Sequence, residues 1–307
     1  MQLIQEQIAE FNRNGFLLIK GVFQGEELHR LSAAADTVID EALEGRGENH
    51  GRMGDSPSTY FRTEGLIHRD TAFAAAGANP DLLRCIGQCL GHPFQLWYDR
   101  MVVKQAHTGV PVGWHQDPPY LGEEAHLETF PIPNFVAGIY LDEATEDNGC
   151  IYALPGRHLC GRVTWPDLDE EDLFNHLEAQ PIVANAGDVS FHCSSTPHGS
   201  RANNSGKPRR LLLYHYVCRE VFNDAYADWS NLYGDFRAEN VEILRNMQKA
   251  REDLGWPSDF YNLSYVEDGV TFVGGAQQTP DAWSKMRVSM SPEELTHLRT
   301  VRSPATP

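Results

Sequence analysis

Apolar side chains at Ile4, Ile8 and Phe11 recur at helical spacing and the pattern stops at Gly15, which predicts a first helix ending there. The next four residues, Phe16-Leu17-Leu18-Ile19, form an unbroken apolar run that suits a short buried strand. From 25 to 43, Leu28, Leu31, Ala35, Val38 and Ala42 fall on one face of a second helix. Between 44 and 58 the chain is rich in Gly, Asp, Ser and Asn and reads as a mobile loop. A further helical piece covers about 80–90 and ends at Gly91.

The texture then changes. Segments 94–105, 134–141, 149–154, 181–184, 189–193 and 209–217 are extended and bounded by Gly, Pro, Asn or Asp. Short strands separated by turn signals predict a sandwich or barrel of the jelly-roll or cupin kind. Helical spacing returns over about 225–252, and Ser291-Pro292-Glu293-Glu294 is a capping box with proline at the first helical position. There is no internal repeat and no Pro- or Ser-rich linker. The expected fold class is therefore mainly β with flanking helices (α+β), as one domain over 1–307. Its β core runs from about 94 to 219, with helical support over 1–93 and a helical extension over 220–307.

Composition adds exclusions. Asp plus Glu number 43 against 25 Lys plus Arg, a net charge of -18 that repels phosphate backbones and anionic lipid at long range. Neither nucleic acid nor a membrane is an expected partner. The apolar runs fall short of a membrane span, and Met1-Gln2-Leu3-Ile4-Gln5-Glu6 lacks the basic-then-apolar layout of a signal peptide, so a cytoplasmic location is expected. None of the six cysteines forms a C-x-x-C pair, which argues against a zinc cluster or a disulfide framework and for buried small hydrophobes.

Chemistry concentrates in Gly113-Trp114-His115-Gln116-Asp117-Pro118-Pro119-Tyr120. At a strand end His115 and Asp117 share a face, because extended side chains alternate with period two. His198 follows the predicted strand 189–193, and Arg209-Arg210 open the last strong strand after a turn-rich stretch, which brings one of them near His198. Two histidines and a carboxylate make a facial triad for Fe(II) with three positions open. Two of these suit a 2-oxo acid and one suits dioxygen, and the far carboxylate of 2-oxoglutarate calls for an arginine fork.

These stretches resemble the phytanoyl-CoA dioxygenase family of Fe(II)/2-oxoglutarate oxygenases. The matching segments are Asn14-Gly15-Phe16-Leu17-Leu18-Ile19-Lys20-Gly21-Val22, Trp114 to Tyr120, Asn148-Gly149-Cys150 with Leu154-Pro155-Gly156-Arg157-His158, Gly187-Asp188-Val189, and Pro197-His198-Gly199-Ser200 through Arg209-Arg210. The resemblance covers roughly 10–220 and implies a double-stranded β-helix with His115, Asp117 and His198 as iron ligands. It also implies Arg209 as the 2-oxoglutarate arginine with Ser200 beside it, and Arg210 facing the other way. Many relatives carry tryptophan where this chain has Gly138, which implies a roomier pocket wall. Retention of Asp117 argues against the related halogenases, in which a small residue leaves room for chloride.

His107 stands in a glycine-containing turn as a weaker candidate ligand, His192 and His215 are expected as packing residues or hydrogen-bond partners, and His158 as part of a structural turn. Gln116 and Tyr120 are candidates for substrate contact. Arg100 and Lys104 share a strand face with Val102 and would bind an anionic group if that face turned inward, although a solvated face is the simpler expectation. Tyr60, Phe61, Arg62 and Trp283 are candidates to close over the site. The expected activity is oxidation of a C–H bond in a small molecule by Fe(II), 2-oxoglutarate and O2, with release of succinate and CO2. A cupin-like metal-containing binding or sensing module without turnover is the competing expectation; such a module has no need of a 2-oxo acid arginine.

Overall fold

A computed structural model describes residues 1–47, 50–52, 60–90, 93–107, 109–117, 134–218, 236–260, 263–266, 269–272 and 289–302. Its strands, in chain order, are β1 (Phe16–Ile19), β2 (His50–Arg52), β3 (Tyr60–Glu64), β4 (Phe94–Lys104), β5 (Val112–His115), β6 (Asn134–Tyr140) and β7 (Ile151–Ala153). There follow β8 (Gln180–Ile182), β9 (Val189–Cys193), β10 (His198–Ser200), β11 (Arg209–Cys218), β12 (Leu263–Val266) and β13 (Gly269–Phe272). The helices are α1 (Gln5–Asn14), α2 (Gly25–Leu43), α3 (Thr71–Gly77), α4 (Pro80–Leu90), α5 (Glu170–Phe174), α6 (Phe236–Asp253) and α7 (Pro292–Arg299).

Helix α1 stops where the pattern requires. Gly15 adopts a left-handed φ of 79° and its N–H donates to the Phe11 carbonyl at 2.8 Å. A Cβ at that position would lie 2.5 Å from the His158 ring and 2.6 Å from Thr196 Oγ1, so both backbone and space demand glycine. On α2 the expected face is the buried one, with Leu31, Ala34, Ala35, Val38 and Ala42 inside. Each fully buried leucine of this kind contributes about 1.5–3 kcal/mol.

Two antiparallel sheets face each other in a jelly roll. The larger runs β1-β9-β6-β11-β4-β13-β12, with β3 also on β4 and β2 on β3. The smaller runs β5-β10-β7-β8. Strand parity divides the interior. On β9, Val189, Phe191 and Cys193 pack toward the helices in one apolar cluster with Phe11, Leu31, Phe73 and Leu83. Across the sheet, Phe16, Val102, Val136, Leu211 and Leu213 join Trp114, Ile151 and Phe174 of the small-sheet side in a second cluster. The cavity described below lies in this second layer.

Several expectations change. The 44–58 stretch contains β2, hydrogen-bonded to β3, where a loop was expected; 53–59 lie outside the described residues. Strand β1 joins the large sheet beside β9, with Phe16 opposite His192, so the β core recruits the N-terminal segment as well. Helix α3, β10 and the β12–β13 hairpin carry no strong period and were not anticipated. The helical stretch 225–252 is described from Phe236 onward, as α6. Ser291 caps α7 as its sequence predicts, with its side chain accepting from the Glu294 N–H. Cys85, Cys89, Cys150, Cys160 and Cys193 are buried. Among the described residues no helix is long and apolar enough to cross a membrane.

Candidate metal centre

The small sheet places two histidines face to face. His198 on β10 is the direct partner of His115 on β5, and their ring centroids are 4.3 Å apart. The ladder between β5 and β10 slips by one residue beyond this pair, and there the Trp114 N–H donates to Glu170 Oε2 at 2.7 Å. His115 Nδ1 lies 2.8 Å from the Gly113 carbonyl and His198 Nδ1 lies 2.9 Å from the Thr196 carbonyl. A carbonyl only accepts, so each Nδ1 carries the proton and each Nε2 offers its lone pair to the interior. Burial, with the His115 and His192 rings alongside, pushes His198 well below the usual histidine range and keeps it neutral.

Asp117 completes the cluster. Its Oδ1 lies 3.7 Å from His115 Nε2 and its Oδ2 lies 3.9 Å from His198 Nε2. Ligand atoms of His115, Asp117 and His198 all fall within 4.8 Å of one another. Burial alone would raise Asp117, yet His192 and the two facing histidines hold its carboxyl well below the usual carboxylate range. Oδ2 is buried without a hydrogen-bond partner. Two bare imidazole nitrogens and an unsatisfied buried carboxylate are the donor set a divalent iron needs, so these residues fit the group.

One cavity joins the cluster to the arginine. It encloses about 490 Å³ and is lined by His115, His198, Ser200 and Arg209, with Arg62, Arg100, Val102, Trp114, Ile151, Leu211 and Leu213 along its walls. Arg209 is buried; its Nη2 donates to the Gly149 carbonyl at 2.9 Å and its Nε has no partner, which leaves an N–H pointing at nothing in the protein. Position 149 demands glycine: its φ is 80°, and a Cβ there would meet the Arg201 carbonyl at 2.5 Å and Lys104 Cδ at 2.8 Å. Arg210 faces away, toward α2, and pairs with Asp142 at 2.7 Å and Asp36 at 2.6 Å.

Other expected site residues fall elsewhere. Gln116 is committed to the scaffold: Nε2 donates to Ser195 O at 2.7 Å and Gly161 O at 2.9 Å, and Oε1 accepts from the Val163 N–H at 2.9 Å. Its expected contact with substrate gives way to a clamp between two ligands. The β4 face carrying Arg100, Val102 and Lys104 is interior, where solvent was expected, because Asp99, Met101 and Val103 already fill the helix side of the sheet. Lys104 is fully buried beneath the cavity, and its Nζ donates to the carbonyls of Val110, Ser200 and Arg201, so it braces β10 and does not reach a substrate. Tyr120 and Trp283, and the side chains of Tyr60 and Phe61, lie outside the described residues. His107, with φ of 60°, bonds the Asn204 carbonyl.

His192, expected as a packing residue or hydrogen-bond partner, stands beside the cluster: its Nε2 approaches Asp117 Oδ2 at 3.5 Å and its ring centroid lies 4.5 Å from that of His198. The signal was strand parity, since Ser190 and His192 share the face opposite the apolar Val189, Phe191 and Cys193. Gly138 corrects a second expectation. A Cβ there would lie 2.9 Å from Ser190 Oγ, 3.3 Å from Leu211 Cδ1 and 3.4 Å from Leu213 Cδ2, so neighbouring side chains occupy the space and the wall is not roomier.

Known proteins similar to this chain fall in one family. The sequence profile of the phytanoyl-CoA dioxygenase (PhyH) family matches residues 11–211. A probable alpha-ketoglutarate-dependent hypophosphite dioxygenase of Stutzerimonas stutzeri is 26% identical over 251 residues, 72% of this chain and 80% of that one. Ectoine dioxygenase of Bordetella bronchiseptica is 26% identical over 243 residues, covering 71% and 76% of the two chains. The crystal structure of EctD from S. alaskensis with 2-oxoglutarate and 5-hydroxyectoine matches the fold with a TM-score of 0.61 at 20% identity, over 71% of this chain and 77% of that one.

Proposed function

The chain belongs to the phytanoyl-CoA dioxygenase family and is a non-haem Fe(II)- and 2-oxoglutarate-dependent dioxygenase of small molecules; we propose that His115, Asp117 and His198 hold its iron and that Arg209, with Ser200, receives the far carboxylate of 2-oxoglutarate. The observation that carries this assignment is the single cavity reaching from the two histidines to Ser200 and the unsatisfied Nε of Arg209. Its expected outcome is hydroxylation of a C–H bond.

When bound, iron and dioxygen supply the oxidising chemistry, with 2-oxoglutarate leaving as succinate and carbon dioxide. The chain's own residues do the positioning. The Gly113 and Thr196 carbonyls fix both imidazoles as Nδ1–H tautomers. Gln116 ties the ligand-bearing segment to Ser195 and Val163. Val102, Trp114, Ile151, Leu211 and Leu213 give the reacting centre apolar walls.

The same proposal reads 1–307 as one oxygenase domain, supported by an apolar cluster that joins Leu3 of the N-terminal segment to Phe135 of the β core and Trp256 beyond it. The net charge of -18 disfavours nucleic acid and anionic membrane surfaces as partners. The binding-module alternative finds no support among the relatives. Anaerobic reconstitution tests the assignment: protein that binds Fe(II) and 2-oxoglutarate together supports it, and protein that binds neither overturns it.

A further inference from the structure

The cavity has two cationic regions. In the β11–β4 ladder Arg209 lies opposite Lys104, and Leu213 lies opposite Arg100. The two rungs are four residues apart, about 13 Å at the rise of a strand. The His–Asp cluster sits near the Arg100 rung, with Arg100 Nη2 3.9 Å from Asp117 Oδ1. A diacid held at Arg209 and reaching the cluster has its two charges answered by Arg209 and by the metal.

Charge makes that second region demanding. A divalent ion, the Asp117 carboxylate, a dianionic 2-oxo acid and Arg209 sum to zero when the imidazoles are neutral and Lys104, whose amine burial pushes down to about 6, is neutral too. Arg100 is not part of that sum. Among the described residues its acidic neighbour within ion-pair distance is Asp117, whose charge the metal takes, and its Nε is buried without a hydrogen-bond partner. Glu64, opposite Arg100 on β3, is engaged by Arg62 Nε at 3.3 Å. A guanidinium left without a counter-charge on a largely buried wall is costly, and an incoming anion relieves it. The ring of Tyr98 lies 5.7 Å from the Arg100 guanidinium carbon and steadies it there.

We propose that Arg100, with Arg62 beside it on the cavity wall, binds an anionic group of the primary substrate, which is therefore a small molecule carrying a carboxylate, phosphonate or sulfonate. Val102, Leu211 and Leu213 receive its short apolar body. The inference rests on the iron and 2-oxoglutarate assignment above, so its test begins with protein already shown to bind both.

The experiment is anaerobic calorimetry on the Fe(II)- and 2-oxoglutarate-loaded protein and on the metal-free protein. Propionate, methylphosphonate and methanesulfonate are the probes and propionamide is the neutral control. Loaded wild type binds at least one anion about 10-fold or more tightly than the amide, and Arg100→Gln weakens that binding by about 10- to 100-fold. Arg100→Lys recovers part of the loss, and Arg62→Gln gives a smaller loss should Arg100→Gln fail to fold. The dissociation constant of 2-oxoglutarate moves less than that of the anion. Equal binding of amide and anions, no binding of any anion, or an equal loss of 2-oxoglutarate affinity in Arg100→Gln overturns the proposal. Protein that fails to take up Fe(II) and 2-oxoglutarate at the outset refutes the underlying assignment instead.

Discussion

His115 and His198 are direct partners across one rung of the small sheet, and each lends its Nδ1–H to a backbone carbonyl two residues earlier in the chain. The lone pairs of both rings are thereby aimed at the same space before any ion arrives. Asp117 enters that space from the segment just beyond β5.

Gln116 holds that segment in place. Gln116→Ala removes three hydrogen bonds to Ser195, Gly161 and Val163 and is expected to lower stability by about 2–3 kcal/mol. Denaturant unfolding measures it, and a loss within about 0.5 kcal/mol, typical of a surface change, would contradict the clamp.

Arg209 should separate co-substrate binding from metal binding. Arg209→Lys keeps the charge but loses the planar fork, and is expected to raise the 2-oxoglutarate concentration for half-saturation by about 10- to 100-fold. Iron affinity, measured on the same preparations, should change far less. A parallel fall in both would place Arg209 in the metal site or in the core.

At Gly138 the expected result is intolerance of bulk. Ser190, Leu211 and Leu213 already crowd the position of a Cβ, so Gly138→Trp should cost about 3 kcal/mol or more, or prevent folding. A stable Gly138→Trp protein with unchanged thermal unfolding would show that the wall has room after all.

Acid should destabilise the fold through His158. This ring is fully buried, and burial pushes it down to about 3, opposed by a hydrogen bond to the Asn12 backbone. The unfolded chain takes up a proton near 6.5 while the native ring stays neutral, so stability present above that pH is lost as pH falls toward 3. Between pH 7.5 and 5 this group accounts for about 2 kcal/mol. His158→Leu should shrink the acid-induced loss by that amount, and an unchanged loss would assign the acid sensitivity to other groups.

The sequence made the strands of the β core legible because their apolar runs are long and well punctuated. It also brought His115, Asp117 and His198 together as candidates, since their spacing follows strand ends, and left Arg209 and Arg210 as alternatives between which the family resemblance chose. What it left open depends on which face of a strand turns inward. Arg100 and His192 sit in strands that sequence alone identified, but their direction follows from pairing: Arg100 from Leu213 beside it, and His192 from Val136 of β6. Gly138 was misread for the same reason, because a missing side chain opens space only if the neighbours stay back. Lys104 was misread because an isolated charge gives no hint of the three carbonyls that surround it.

The most direct test of the whole account is anaerobic equilibrium dialysis against Fe(II), read by elemental analysis, for wild type and for His115→Ala, Asp117→Ala and His198→Ala. One iron per wild-type chain is expected, with a fall in affinity of about 100-fold or more in each variant. Iron retained at wild-type affinity in any of the three would contradict that residue's place in the site, and retention in all three would contradict the site itself.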